Sequence, residues 1–168
     1  MDHEKIKRGV ELLLEGIGED LQRPGLQETP ERVAGMYADI FAGLHATPHL
    51  KSVFSEESTG ESVVHLRRID FYSICEHHLL PFFGTIDISY RPTTKIAGFS
   101  SFSRLVDDLA RRPQIQERLT SQIADIIMTE LEPAAVRVVS KATQLCTCMR
   151  GSHRKRMQTI CETSRGQI

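Results

Sequence analysis

The sequence predicts an α+β domain, an antiparallel sheet with two helices on one face. Helical apolar spacing and strand-like alternation come in pairs, in the order α-α-β-β-α-α-β-β. Strands that follow one another directly favour hairpins, whereas a parallel sheet needs a long crossover between strands. The 168 residues suffice to bury one core without staples.

Ile6, Val10, Leu13, Leu14 and Ile17 give the first helix one apolar face, and Gly16 and Gly18 end it. Thr29-Pro30-Glu31-Arg32 reads as a second start, with Thr29 as N-cap and Pro30 at the first helical position. Val33, Met36, Tyr37, Ile40 and Phe41 are its apolar face. Residues 45–61, rich in His, Thr, Pro, Ser and Gly, read as a loop. The organisation expected is an N-terminal helical segment, 1–50, ahead of the main body, 51–168, within one domain overall.

Residues 62–72 alternate as a strand that runs into Cys75, and residues 83–90 form a second. In the latter Ile86, Ile88 and Tyr90 face one way and Thr85, Asp87 and Ser89 the other. Ser100 or Ser101 caps a helix bearing Phe102, Leu105, Val106 and Leu109. Pro113 opens a long helix with Ile115, Leu119, Ile123, Ile126, Ile127 and Leu131 inward, and Pro133 ends it. Residues 135–149 read as a strand through Val136, Val138 and Val139, and 157–163 as a weaker one, which completes a four-stranded sheet.

Net charge is −1, so no surface for a nucleic acid is expected, and only Arg150 and the stretch His153-Arg154-Lys155-Arg156 are locally basic. No run approaches the roughly 18 apolar residues of a membrane span, and the first residues lack the apolar core of a signal peptide. Cysteines 75, 146, 148 and 161 then read as reduced thiols in a cytoplasmic protein.

The chemistry centres on Cys75-Glu76-His77-His78 and Gln144-Leu145-Cys146-Thr147-Cys148-Met149-Arg150. Cys-x-x-His spacing lets Cys75 and His78 reach one metal ion from a single turn, and thiolate with imidazole favours zinc. With Cys146 as third ligand the site stays open for catalysis. If residues 144–150 are one strand, Cys148 shares a face with Cys146 and closes a structural Cys₃His site, although a gap of about 6–7 Å is long for one ion. His77, pointing away from His78, is either a general acid/base or a solvated surface residue. Glu117, at a helix start, is by itself an ordinary dipole-favoured residue. Arg104, Arg150 and the 153–156 cluster are candidate phosphate ligands or plain surface charges.

These pieces together resemble the GTP cyclohydrolase I family. The resemblance rests on Glu28-Thr-Pro-Glu-Arg-Val-Ala34, Cys75-Glu-His-His-Leu-Leu-Pro-Phe82, Gly98-Phe-Ser-Ser-Phe-Ser-Arg104, Arg112-Pro-Gln-Ile-Gln-Glu-Arg-Leu-Thr120 and Cys146 through Gly151. It implies a tunnelling fold for the body of the chain. There, sheets of several subunits close an oligomeric barrel, typically of a homodecamer, with active sites between subunits. It implies that zinc on Cys75, His78 and Cys146 activates water for attack at C8 of GTP, that the imidazole ring opens, that formate leaves, and that 7,8-dihydroneopterin triphosphate forms. Glu117, aided by Gln116, would hold the guanine edge, Ser100 the ribose, Arg104 and Arg150 the triphosphate, and His77 would move protons.

The chain departs from that pattern where Gln144 replaces a catalytic His and Ser101 a Lys. It also ends soon after the last strand pattern, without the family's C-terminal helix. Gln cannot titrate, and a general acid/base group contributes typically about 10²–10⁴-fold. Ser101 removes a phosphate-binding charge that His153, Arg154 or Lys155 would have to replace. Three readings therefore stand: the full family reaction, a relative that stops at C8 hydrolysis with a formamidopyrimidine product, and a zinc-stabilised protein without catalysis.

Overall fold

The computed structural model describes residues 1–51, 53–55, 62–150 and 157–166. The basic residues 153–156 lie outside the described residues. The chain forms two compact units, Met1–Ala42 and Gly43–Ile168. The division read at residue 50 falls inside the second unit.

The first unit is a helix pair, α1 (His3–Gly16) and α2 (Thr29–Ile40). Asp2 caps α1, its Oδ1 accepting from the Lys5 backbone N at 3.0 Å. The N-cap of α2 is Glu28, not Thr29, because the Thr29 hydroxyl donates backwards to the Gly25 carbonyl. Glu31 ties the helices together, accepting from His3 at 2.8 Å and lying 3.2 Å from Lys7. The His3 bond, ahead of Lys7, holds its carboxyl below the usual range. The pair is exposed, so it adds little to stability.

The second unit runs β1 (Val53–Ser55), β2 (Val64–Cys75), β3 (Pro81–Arg91), β4 (Lys95–Ala97), α3 (Phe99–Ala110), β5 (Pro113–Gln114), α4 (Gln116–Leu131), β6 (Ala135–Gln144), α5 (Leu145–Cys148) and β7 (Thr159–Gly166). Strands β2, β3, β6 and β7 form the expected antiparallel sheet, and β5 adds to its edge in the order β5-β2-β3-β6-β7. A separate ribbon pairs β1 with β4 inside what reads as loop. Register brings the site elements to one end of the sheet, pairing Cys75 with Gln114, Ile74 with Pro81 and Phe82 with Gln144.

Three expected elements change. Pro113 does not open the long helix. It pairs in parallel with Ile74, and α4 starts at Gln116. Neither Ser100 nor Ser101 caps α3; Gly98 precedes it and the Ser101 hydroxyl donates to the Lys51 carbonyl. The strand expected to 149 stops at Gln144, and one helical turn follows.

Helices α3 and α4 cover one sheet face. Phe102, Leu105, Val106 and Leu109 meet Leu119, Ile123, Ile127 and Leu131 above Phe71, Phe82, Ile86, Ile88, Tyr90, Val136 and Val138. Full burial of each such side chain contributes about 1.5–3 kcal/mol, an upper range given a compact unfolded chain. Ile86, Ile88 and Tyr90 all point inward, as their alternation requires. The β3–β6 approach demands glycine at 84, where a Cβ would sit 1.9 Å from the Lys141 carbonyl oxygen. In β2 the register slips between Leu66 and Ile69. Arg68 takes φ 59° there, with its N–H donated to Asp87 Oδ1 at 2.8 Å. That bond, then Lys141, holds the Asp87 carboxyl below the usual range. Among the described residues no helix is long and apolar enough to cross a membrane.

Candidate active site

Strands β2 and β3 are joined by a tight turn. Its base is closed by Cys75 N donating to Leu80 O at 2.9 Å and Leu79 N donating to Cys75 O at 2.8 Å. Leu79 sits at φ 52°, an uncommon conformation for a branched side chain and a local strain of about 1–2 kcal/mol. The turn buries Cys75 and turns both imidazoles outward, ring centroids 6.4 Å apart and nearly perpendicular.

Cys146 arrives from the other side on α5. One ligand atom each from Cys75, His78 and Cys146 lies within 4.8 Å of the others. Cys148 is not in this group. A helical turn, unlike the expected strand, sends residues two apart to opposite sides, so Cys146 faces the turn and Cys148 does not. The four cysteines form no disulfide. Burial, then the neighbouring Cys75, push the Cys146 thiol up. Two thiols beside an imidazole suit a soft divalent cation, whose charge favours thiolates. The donor set therefore fits a zinc-like ion with three protein ligands.

The group opens onto a cavity of about 240 Å³ lined also by His77, Phe82, Gln114, Ile115, Gln116, Glu117, Gln144, Thr147 and Thr159. Gln116 is 2% exposed. Its Nε2 donates to Ser140 O at 3.1 Å, Ser140 Oγ at 3.0 Å and Thr159 O at 3.0 Å. Two backbone carbonyls fix that amide's orientation, so its Oε1 faces Gln144 and accepts from Gln144 Nε2 at 2.9 Å. The first residue of α4 thus orients position 144. Glu117, next along, is exposed at the cavity.

Ser100, Arg104 and Arg150 do not line this cavity. Ser100 lines a second one, of about 370 Å³, with His65, Leu66, Arg67, Ile69, Phe99 and Ser103, and accepts from Arg104 Nη2 at 3.2 Å. Arg150 is exposed just beyond α5, and its charge lowers the Cys146 thiol slightly against the larger burial effect.

The model of the GTP cyclohydrolase I family matches residues 6–168. The chain belongs to the GTP cyclohydrolase I family. It is 47% identical to GTP cyclohydrolase 1 of Geobacillus sp. (strain WCH70) over 99% of this chain and 89% of the relative. It is 48% identical to those of Carboxydothermus hydrogenoformans, over 99% and 87%, and Clostridioides difficile, over 99% and 88%. Among solved structures, an archaeosine synthase QueF-Like in the apo form aligns with TM-score 0.53 and 17% identity. That alignment covers 66% of this chain and 99% of the other, a likeness of fold. The fold is α+β of the tunnelling type.

Both departures from the GTP cyclohydrolase I pattern are structurally settled positions. Gln144 keeps a hydrogen bond that positions it, but nothing to titrate. Ser101, where the family has Lys, is 1% exposed and bonded to backbone. Sequence reading missed Arg118, which holds Glu76 in the metal turn, and Gln114, fully buried under it. The Arg118 guanidinium keeps the Glu76 carboxyl below its usual range. No sequence signal marked either residue, since Pro113 suits a helix start and an edge strand alike.

Proposed function

We propose that this chain opens the imidazole ring of GTP at C8, releases formate and forms 7,8-dihydroneopterin triphosphate. Its family and the Cys75, His78 and Cys146 set on a cavity shared with Glu117 support this reading; the three-ligand geometry carries it. Those three residues hold zinc, which supplies a Lewis acid and a water acidified to about pKa 7. The Glu117 carboxylate accepts the guanine N1–H and 2-amino hydrogens. His77, exposed at the cavity rim, exchanges protons with the opening ring. Gln116, whose side chain is fully engaged within the fold, serves the purine through Gln144.

Ser100, Arg104 and Arg150 bind ribose and triphosphate in this reading. Ser100 lines a different cavity of the same chain from the metal set, which supports a site completed by a neighbouring copy. A homo-oligomer, a decamer as in the family pattern, is the assembly proposed, and the cytoplasm its location.

A second reading rests on Gln144 alone. An amide cannot shuttle a proton, so the later steps would stall and a ring-opened formamidopyrimidine nucleotide would accumulate. Incubating zinc-loaded protein with GTP, with formate assayed and products weighed by mass spectrometry, separates the two. Formate with the dihydropterin triphosphate supports the first reading. A hydrated nucleotide without formate replaces it with the second, and no turnover of GTP overturns both.

A further inference from the structure

We infer that Arg118 is a positioning residue, which acts through Glu76 to fix the turn bearing His77 and His78 against the first turns of α4. The inference rests on the metal reading of Cys75, His78 and Cys146. Arg118 Nη1 donates to Glu76 Oε2 at 2.7 Å and Nη2 to Glu76 Oε1 at 2.9 Å, a two-pronged grip. Such a pair constrains direction as well as distance. Glu76 is also tied by its backbone, donating from N to the Gln114 carbonyl at 3.1 Å.

Gln114 is the anchor beneath both. It is fully buried, and its Nε2 donates to Leu109 O at 3.2 Å and to Gln122 Oε1 at 3.0 Å. Its Oε1 accepts from Ile115 N at 3.2 Å and from Arg118 Nη1 at 3.3 Å. Backbone bonds close the base of the metal turn, Cys75–Leu80 and Leu79–Cys75, the Glu76 N–H bond to Gln114 holds its first residue, and the side chains at its tip are exposed. Without Arg118 the tip is free to rock about that base, carrying His78 away from the two thiols and His77 away from Glu117. An exposed ion pair contributes little to global stability. The consequence falls on ligand geometry, as for residues that orient metal ligands from behind, whose loss costs about 10–100-fold in metal affinity or activity.

The test compares wild type, Arg118→Met, Arg118→Lys and the exchanged pair Glu76→Arg with Arg118→Glu. Zinc affinity is measured by chelator competition, ligand geometry by the visible spectrum of the cobalt(II)-loaded protein, and turnover by kcat and KM for GTP. Arg118→Met is expected to weaken zinc binding about 10-fold and alter the cobalt spectrum, and to lower kcat more than it raises KM, at an unchanged thermal midpoint. Arg118→Lys, which keeps charge but not the two-pronged grip, falls between, and the exchanged pair recovers part of the affinity. Wild-type affinity and spectrum in Arg118→Met would overturn the positioning role alone. A wild-type protein that holds no zinc would overturn the metal reading, and this role with it.

Discussion

Gln116 and Gln144 show how one side chain can keep its place while losing its chemistry. The Gln116 amide is fixed by carbonyls of β6 and β7, so Gln144 is presented to the cavity in one orientation. Gln144→His restores a titrating group at that position, with a ring N–H able to reach Gln116 Oε1. Formate release from GTP is expected to rise at least about 10-fold; an unchanged rate would mean another group already moves that proton. At the metal, Cys146→Ser is expected to remove most bound zinc. Cys148→Ser keeps one equivalent per chain, read by metal analysis after dialysis. That Cys75 and His78 could reach one ion was legible because Cys-x-x-His spacing keeps both side chains on a single turn. The direction of Cys148 was not, since it depends on where β6 ends.

That end point belongs to the scale of elements. Nothing in Ala-Thr-Gln-Leu-Cys-Thr-Cys opposes continued strand, and only the structure shows the ladder with β3 stopping at Gln144. Likewise Pro113 has two roles open to it, helix start or edge strand, and pairing with Ile74 selects the second. The core of the second unit was legible, because alternation in β3 and the stripes of α3 and α4 each name one face, whereas Leu13, Ile17 and Met36 on the expected apolar faces of the helix pair are exposed. Close backbone approach was not legible, as at Gly84, where any Cβ meets β6 main chain. Gly84→Ala is expected to cost about 1–3 kcal/mol in urea unfolding, the usual range for overpacking. The β2 bulge gives a pH signature. Asp87 titrates lower folded than unfolded, so its contribution is complete above the unfolded carboxyl value of about 3.9 and fades as pH falls through the folded one. The stability gap between wild type and Asp87→Asn is therefore expected to stay constant above about pH 5 and to close in more acid solution.

For the whole molecule, the metal cavity and the Ser100 cavity are separate on one chain, so the proposed assembly is the property to test. If a neighbour completes each site, Glu117→Ala and Arg104→Ala subunits complement one another. Refolded together they recover about a quarter of wild-type activity by random assortment, though each alone is inactive. Activity no greater than the two alone would place all contacts within one chain. The family was legible from ordered motifs along the chain, whereas assembly involves contacts that one sequence does not display. The most direct test of the central claim is to strip the protein with chelator, add zinc stepwise and follow formate released from GTP. Activity rising in proportion to zinc and saturating at one equivalent per chain, lost in Cys146→Ser and kept in Cys148→Ser, is the result predicted. Equal turnover by the stripped protein, or saturation that ignores Cys146, would contradict it.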